Sequence, residues 1–98
     1  MKPIPSEQSN SVGPVLEVGD VANAIVTAIR KLNKGVVVLD RGSYLRVSVP
    51  MQCTLKRSAV EQALGRPFLL PGDLELCMPS FKGKLTINEE EAIWAFGK

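Results

Sequence analysis

The sequence predicts an α+β fold: a single domain in which two helices pack on an antiparallel or mixed sheet, in the order β-α-β-β-α-β-β-β. Three observations predict it: a length of 98 residues, one apolar stripe with helical spacing, and several short stretches in which apolar and polar residues alternate. A chain of this length buries on the order of 65% of its unfolded surface. We expect the folded domain over residues 12–98, after a flexible tail at residues 1–11 that has few apolar side chains.

The first strand and the first helix follow each other directly. The stretch "VGPVLEV" alternates loosely, and Pro14 cannot donate a hydrogen bond, so the strand is expected at a sheet edge or to begin after the proline. Asp20 is a good N-cap, and Gly35 suits the position after the helix. Between them the apolar residues share one helix face: Val21, Ala24, Ile25, Ala28, Ile29 and Leu32.

Two further strands are predicted on either side of a tight turn, "DRG" at 40–42. The β-branched run "VVVL" at 36–39 precedes the turn. After it comes a long alternation, whose inward set is Leu45, Val47, Val49, Met51, Cys53 and Leu55. Tyr44 and Arg46 then point outward.

In the second half of the chain, the sequence pattern predicts one short helix and three strands. Ser58 with Glu61 is typical of a capping box, and Gly65 with Pro67 ends the helix. "DLELCM" at 73–78 alternates and is predicted to be a strand. "GKLTI" and "AIWAF" then form a hairpin around the acidic turn "NEEE".

Composition argues against an independent enzyme. The sequence contains no histidine, the usual acid or base near neutral pH, and its two cysteines lie far apart. We interpret Cys53 and Cys77 as inert, buried thiols and the "NEEE" carboxylates as a solvated turn, so no metal and no cofactor is expected. No nucleotide-binding glycine motif is present.

Charge and hydropathy restrict the partners. The formal charge is +2, with basic residues spread along the chain, which does not favour nucleic-acid binding. No segment predicts a signal peptide or a membrane span, so a cytoplasmic protein without membrane contact is expected.

Two features have possible recognition character. Arg41, Tyr44 and Arg46 form an exposed polar and aromatic group, although a plain solvated strand face would have the same pattern. Phe81 lies in "PSFKGKL"; the pattern favours its burial in the core, and projection into a partner is the alternative.

Four stretches, in the same order along the chain, resemble one protein family. They are "VGPVLEVGD", "DRGSYLRV", "LGRPF" and "MPSFKGKL", and the similarity covers about residues 12–97. The chain resembles the effector, or coupling, proteins of bacterial multicomponent diiron monooxygenases, and is most similar to the toluene and alkene monooxygenase branch. The resemblance implies a cofactorless protein that binds the diiron hydroxylase and controls substrate access, oxygen activation and coupling of NADH use to hydrocarbon oxidation. It also implies a monomer when free.

The resemblance also marks particular residues. Those expected to contact the partner are Arg41, Tyr44, Arg46, Phe81 and Gly83; those expected to serve the fold are Gly13, Pro14, Asp40, Gly65, Arg66, Pro67 and Phe68. Two other functions stay open, a small nucleic-acid-binding domain and a ligand-sensing domain. RNA-recognition folds use two or three aromatic residues on their central strands, and the "YLRV" strand offers one.

Overall fold

The computed structural model describes residues 10–97, which form two antiparallel sheets and three helices. The strands are β1 (Ser11–Glu17), β2 (Val37–Asp40), β3 (Tyr44–Pro50), β4 (Gln52–Lys56), β5 (Ser80–Lys82), β6 (Lys84–Ile87) and β7 (Glu91–Ala95). The helices are α1 (Asp20–Leu32), α2 (Arg57–Leu64) and α3 (Gly72–Cys77). The predicted α+β class is confirmed, and the order of elements matches except at the two places described below, the division of a strand at Met51 and the third helix at 72–77. The predicted tail at 1–11 lies outside the described residues except for Asn10 and Ser11, and Ser11 begins β1.

The first sheet has the strand order β2-β3-β1-β5, so β1 is an interior strand. The expectation that Pro14 places β1 at an edge is therefore wrong. The ladder between β1 and β3 is interrupted between the pairs Val12–Val49 and Val15–Arg46, where Pro14 has no N–H to donate. On its other side Pro14 lies opposite Phe81.

The second sheet has the strand order β4-β7-β6. At two places the chain passes from the first sheet to the second, each time with one residue between the two strands. Met51 separates β3 from β4, and Gly83 separates β5 from β6. Their φ angles are 68° and 108°, so both have a left-handed backbone. The predicted continuous strand after "DRG" is thus divided at Met51, which is exposed rather than inward-facing.

Both corners are fixed by their neighbours. The Met51 N–H donates to the Asn10 carbonyl at 3.1 Å, and the Met51 carbonyl accepts from the Phe96 N–H at 2.8 Å. At Gly83, an added Cβ would lie 2.7 Å from Cγ1 of Val12, closer than side-chain atoms approach. These contacts tie both corners to neighbouring strands or the residues next to them.

Helix α1 contributes the largest helical share of the core. Ala24, Ile25, Ala28 and Ile29 of the predicted stripe are buried, but Leu32 is 49% exposed because it is the last helical residue. Gly19, not Asp20, is the N-cap, and Asp20 is in the first turn, where its charge complements the helix dipole. The helix ends before Gly35, because the Asn33 amide group donates to the carbonyls of Ile29 and Thr54.

Helix α2 ends as predicted but begins differently. It begins at Arg57 with Lys56 as the N-cap, so Ser58 and Glu61 form no capping box. The Glu61 carboxylate instead accepts a hydrogen bond from the Phe68 N–H at 2.9 Å. Gly65 has φ 80° and donates its N–H to the Glu61 carbonyl at 2.8 Å, which confirms the left-handed helix end.

The prediction of a strand over 73–78 is wrong, because these residues lie in and directly after α3. Leu74 and Met78, four residues apart, are buried, which fits one helical turn. Leu76 must then point outward. The helix is stabilised at its start by the Asp73 carboxylate, which accepts the Leu69 N–H at 2.8 Å.

The αL backbone at Gly65 gives a direct test of this helix end. Gly65→Ala is expected to destabilise the protein by about 1–2 kcal/mol, the cost of a left-handed conformation with a Cβ. Gly72→Ala is the matched control, because a Cβ at either glycine meets open space but only Gly65 has a positive φ. Urea denaturation measures both; equal midpoints for the two variants would contradict the left-handed helix end.

Candidate functional site

Cross-strand pairing defines an outward-facing surface of the first sheet, which we call the open face. Its members are Val15, Glu17, Val37, Leu39, Tyr44, Arg46, Ser48, Ser80 and Lys82. Directly paired residues in antiparallel strands share a face, and each strand alternates between faces. The neighbours that point the other way, such as Leu16, Val47 and Val49, are buried in the core. Helices α1 and α2 pack against β4 and against each other.

The open face is unusually apolar for a solvated surface. Val37 is 52% exposed, Leu39 is 44% exposed and Tyr44 is 38% exposed. Val37 and Leu39 belong to β2, the edge strand of the sheet, and stand opposite Ser48 and Arg46. Exposed apolar clusters at sheet edges are typical of surfaces that bind another protein.

Two arginines place positive charge on and beside this face. Arg46 lies on the open face, and Arg41 lies in the β2–β3 turn with its N–H donated to the Tyr44 carbonyl at 2.9 Å. Asp40 tightens the turn by accepting the Gly42 N–H at 2.8 Å. Within residues 10–97, neither guanidinium group forms an ion pair. The structure thus brings Arg41, Tyr44 and Arg46 together.

The other two residues predicted to contact a partner lie elsewhere. Phe81 pairs with Pro14, whose side chain is buried, so it belongs to the opposite side of the sheet from Tyr44. It is 44% exposed, so the expectation of a core position is wrong; β5 is a short edge strand that leaves one side of Phe81 uncovered. Gly83 has a structural reason for its identity, the contact with Val12.

The "LGRPF" stretch is a rigid connection rather than a reactive loop. Arg66 forms an exposed ion pair with Asp20 at 3.3 Å, which links the stretch to the start of α1. Phe68 is buried in the core, and Pro67 next to it is exposed. Gly13 is likewise buried beside Pro14 in β1. Of the residues expected to serve the fold, Gly13, Pro14 and Phe68 are buried, whereas Arg66 and Pro67 are exposed.

A second exposed apolar surface lies beside α3. Leu76 is 80% exposed and Leu69 is 64% exposed. Leu76 and Cys77 border a shallow groove of about 270 Å³, whose other wall includes Val21 and Leu64. Our sequence interpretation missed it, since a strand over 73–78 would have turned Leu76 inward; the i, i+4 spacing of Leu74 and Met78 is the signal that could have found it.

Side-chain chemistry in the described part of the chain offers no reactive centre. Burial raises the pKa of the Cys53 thiol to about 12, and burial likewise raises the pKa of Cys77. Both thiols are therefore protonated at neutral pH, when a cysteine is a poor nucleophile. Over residues 10–97, no three His, Cys, Asp or Glu side chains are grouped to hold a metal.

Stacking on RNA bases finds little support in the same residues. The open face presents a single aromatic side chain, Tyr44, where stacking on RNA bases needs two or three. Among the described residues, no helix is long and apolar enough to cross a membrane.

Comparison with known proteins identifies the family of this chain and a solved structure with the same fold. A sequence model of the MmoB/DmpM family matches residues 10–95. The effector subunit of the alkene monooxygenase system of Xanthobacter autotrophicus (strain ATCC BAA-1158 / Py2) is 42% identical over 89 residues, which cover 89% of this chain and 87% of that protein. A chain from a structure of a phenol hydroxylase–regulatory protein complex has the same fold, with a TM-score of 0.77 at 15% identity, covering 89% of this chain and 98% of that one.

The chain belongs to the MmoB/DmpM family. It is an effector subunit of a multicomponent monooxygenase, a component that does not itself carry out catalysis. The family resemblance inferred from the sequence is thereby confirmed.

The carboxylate of Glu61 makes the "LGRPF" connection sensitive to acid. The Phe68 N–H and the Arg57 guanidinium, 3.0 Å away, lower the pKa of Glu61 below its ordinary value. A carboxyl with a depressed folded-state pKa stabilises the protein above its unfolded pKa, and this contribution is lost as the pH falls through the folded value.

We therefore expect Glu61→Gln to lower the denaturation midpoint at pH 7 and to weaken the loss of stability below about pH 4.3, the ordinary range of Glu. Glu75→Gln on the exposed side of α3 is the control, since no ion pair of that carboxylate is found over residues 10–97. Midpoints measured from pH 7 to pH 3 test this. Parallel pH profiles for wild-type and Glu61→Gln protein would show that the carboxylate does not hold the connection.

Proposed function

We propose that this protein binds the hydroxylase component of a diiron monooxygenase through its open face. By binding, it controls substrate access, oxygen activation and the coupling of NADH use to oxidation of an alkene or aromatic hydrocarbon. The observation that carries the proposal is the open face itself, an uncovered apolar sheet surface with two arginines that form no ion pair over residues 10–97. The relatives support it: one is named an effector subunit of an alkene monooxygenase, and another comes from a complex with phenol hydroxylase.

Because residues 10–97 offer no reactive centre, the effector acts by differential binding in this proposal. A hydroxylase that exists in two states shifts toward the state for which the effector has the higher affinity. A tenfold preference for one state corresponds to about 1.4 kcal/mol and changes the ratio of the two states tenfold. The rigid corners at Met51 and Gly83 suit this role, because a preformed surface loses little conformational entropy on binding.

The charges of the open face indicate the chemistry of the surface it contacts. Arg46 lies on the interior strand β3 with Arg41 in the adjoining turn, and Glu17 is the acidic member of the face, opposite Tyr44. The complementary surface is therefore acidic where it meets the two arginines and apolar where it meets Val37 and Leu39. Electrostatic attraction of this kind raises the association rate and weakens as salt is added.

The proposed contact residues are accordingly Arg41, Tyr44 and Arg46. Phe81 stands on the opposite side of the sheet, at the β5 edge, and is not part of this face. Gly83 supports the contact indirectly, because it fixes the corner after β5.

Alanine variants of the open face test the proposal. Tyr44→Ala and Arg46→Ala are expected to melt close to the wild-type temperature, since both side chains are exposed. Both variants are expected to need at least about tenfold more protein to stimulate the hydroxylase. The reason is that arginine and tyrosine at an interface centre each contribute ~2 kcal/mol or more to binding. Arg30→Ala, an exposed arginine on α1, is the matched control for loss of one positive charge.

The assay titrates each variant into the hydroxylase and its reductase and measures product formed per NADH consumed. At limiting concentration, the open-face variants are expected to lose more reducing equivalents as peroxide than the Arg30→Ala protein does. Wild-type titration curves for Tyr44→Ala and Arg46→Ala would exclude the open face as the docking surface.

A further inference from the structure

The corner at Met51 combines backbone strain with an exposed apolar side chain. Its φ of 68° is in the left-handed region, which glycine and asparagine adopt at lower free energy than methionine does. It is the one non-glycine residue with positive φ in the described part of the chain. A residue type that disfavours the required backbone needs a reason to stand there.

The fold does not supply that reason. The Met51 side chain is 52% exposed, and the inward positions on either side of it are filled by Val49 and Cys53. The two hydrogen bonds of the corner use only the backbone N–H and carbonyl of Met51, so any residue other than proline could form them. Packing and hydrogen bonding would be satisfied equally well by asparagine or glycine.

The same corner holds a second exposed apolar residue. Phe96 is 37% exposed, and its N–H donates to the Met51 carbonyl at 2.8 Å, so the two residues are neighbours although they are far apart in sequence. Methionine and phenylalanine are both enriched at the centres of protein interfaces. Neither side chain offers a strong hydrogen-bond donor, so the pair fits an apolar protein surface rather than an anion or a sugar.

The corner is continuous with the open face. β3 runs from Tyr44 to Pro50, and its outward positions continue from Tyr44 and Arg46 to Pro50, the residue before Met51. A strand of this length spans roughly 20 Å at about 3.3 Å per residue. A partner that covers the open face along β3 therefore reaches the corner without a change of direction.

We propose that Met51 and Phe96 form an apolar anchor that contacts the hydroxylase at the far end of the docking surface. The inference rests on the proposed function, since the hydroxylase is the partner, and it extends the contact beyond Arg41, Tyr44 and Arg46. The strained backbone at Met51 presents the side chain outward, and this presentation serves binding rather than folding.

The test uses Met51→Asn and Met51→Gly, two residues that tolerate the left-handed backbone. Both variants are expected to keep or raise the urea midpoint, while the dissociation constant for the purified hydroxylase rises about tenfold, the effect of truncating an interface anchor. Calorimetric titration of the hydroxylase measures this. Leu76→Asn is the control, because it removes an apolar side chain that is even more exposed than Met51, 80% against 52%, from α3, away from the corner.

The outcomes separate the two proposals. Stable Met51 variants with weakened binding, beside wild-type binding by Leu76→Asn, would support the anchor. Three results would overturn the anchor while the wild-type protein still binds the hydroxylase. They are an unchanged affinity of the Met51 variants, an equal loss of affinity in Leu76→Asn, and a lowered urea midpoint of the Met51 variants. Absence of binding by the wild-type protein would overturn the proposed function and the anchor together.

Discussion

Consecutive strands of the two sheets are joined through single residues, Met51 and Gly83, and the rest of the structure depends on these two corners. Met51 and Gly83 are each the single residue between the strands they join, so the two sheets are connected at both places without a loop. At Gly83 the backbone lies against Val12, and at Met51 it is hydrogen-bonded to both the start of β1 and the residue after β7. The inner faces of the sheets are thereby held together, and the outer face of the first sheet is left open.

The four sequence stretches shared with the family meet around β1. "DRGSYLRV" supplies β3 on one side of this strand, and "MPSFKGKL" supplies β5 on the other. "LGRPF" reaches the end of "VGPVLEVGD" through the ion pair between Arg66 and Asp20. An exposed ion pair contributes little stability, so the connection depends mainly on the buried Phe68 and on the hydrogen bond from its N–H to Glu61. The four stretches thus form one group of contacting elements around β1, a central strand of the sheet that carries the open face.

Features set by short-range chemistry could be predicted from the sequence, and features set by distant contacts could not. The α1 stripe, the turn after Asp40 and the left-handed Gly65 depend on neighbours within a few residues, and the structure has all three. The interior position of β1 and the exposure of Phe81 depend on which strands pair beside them. Segments far apart in sequence make these pairs, so a local pattern does not predict them. The stretch 73–78 was ambiguous because apolar residues at alternate positions also fit one helical turn with Leu76 outside. Of the candidate site, the group around Tyr44 was predictable, but the apolar part contributed by β2 and the corner at Met51 was not.

Hydrogen–deuterium exchange of the protein alone and with saturating hydroxylase tests the central claim most directly. Amides at the exposed edge of β2, in the turn at 41–43 and at the Met51 corner are expected to exchange more slowly in the complex, because a partner on the open face excludes water from them. Amides of α3 should keep their rates. Protection confined to α3 and its groove, with unchanged exchange in β2 and the turn, would contradict docking through the open face.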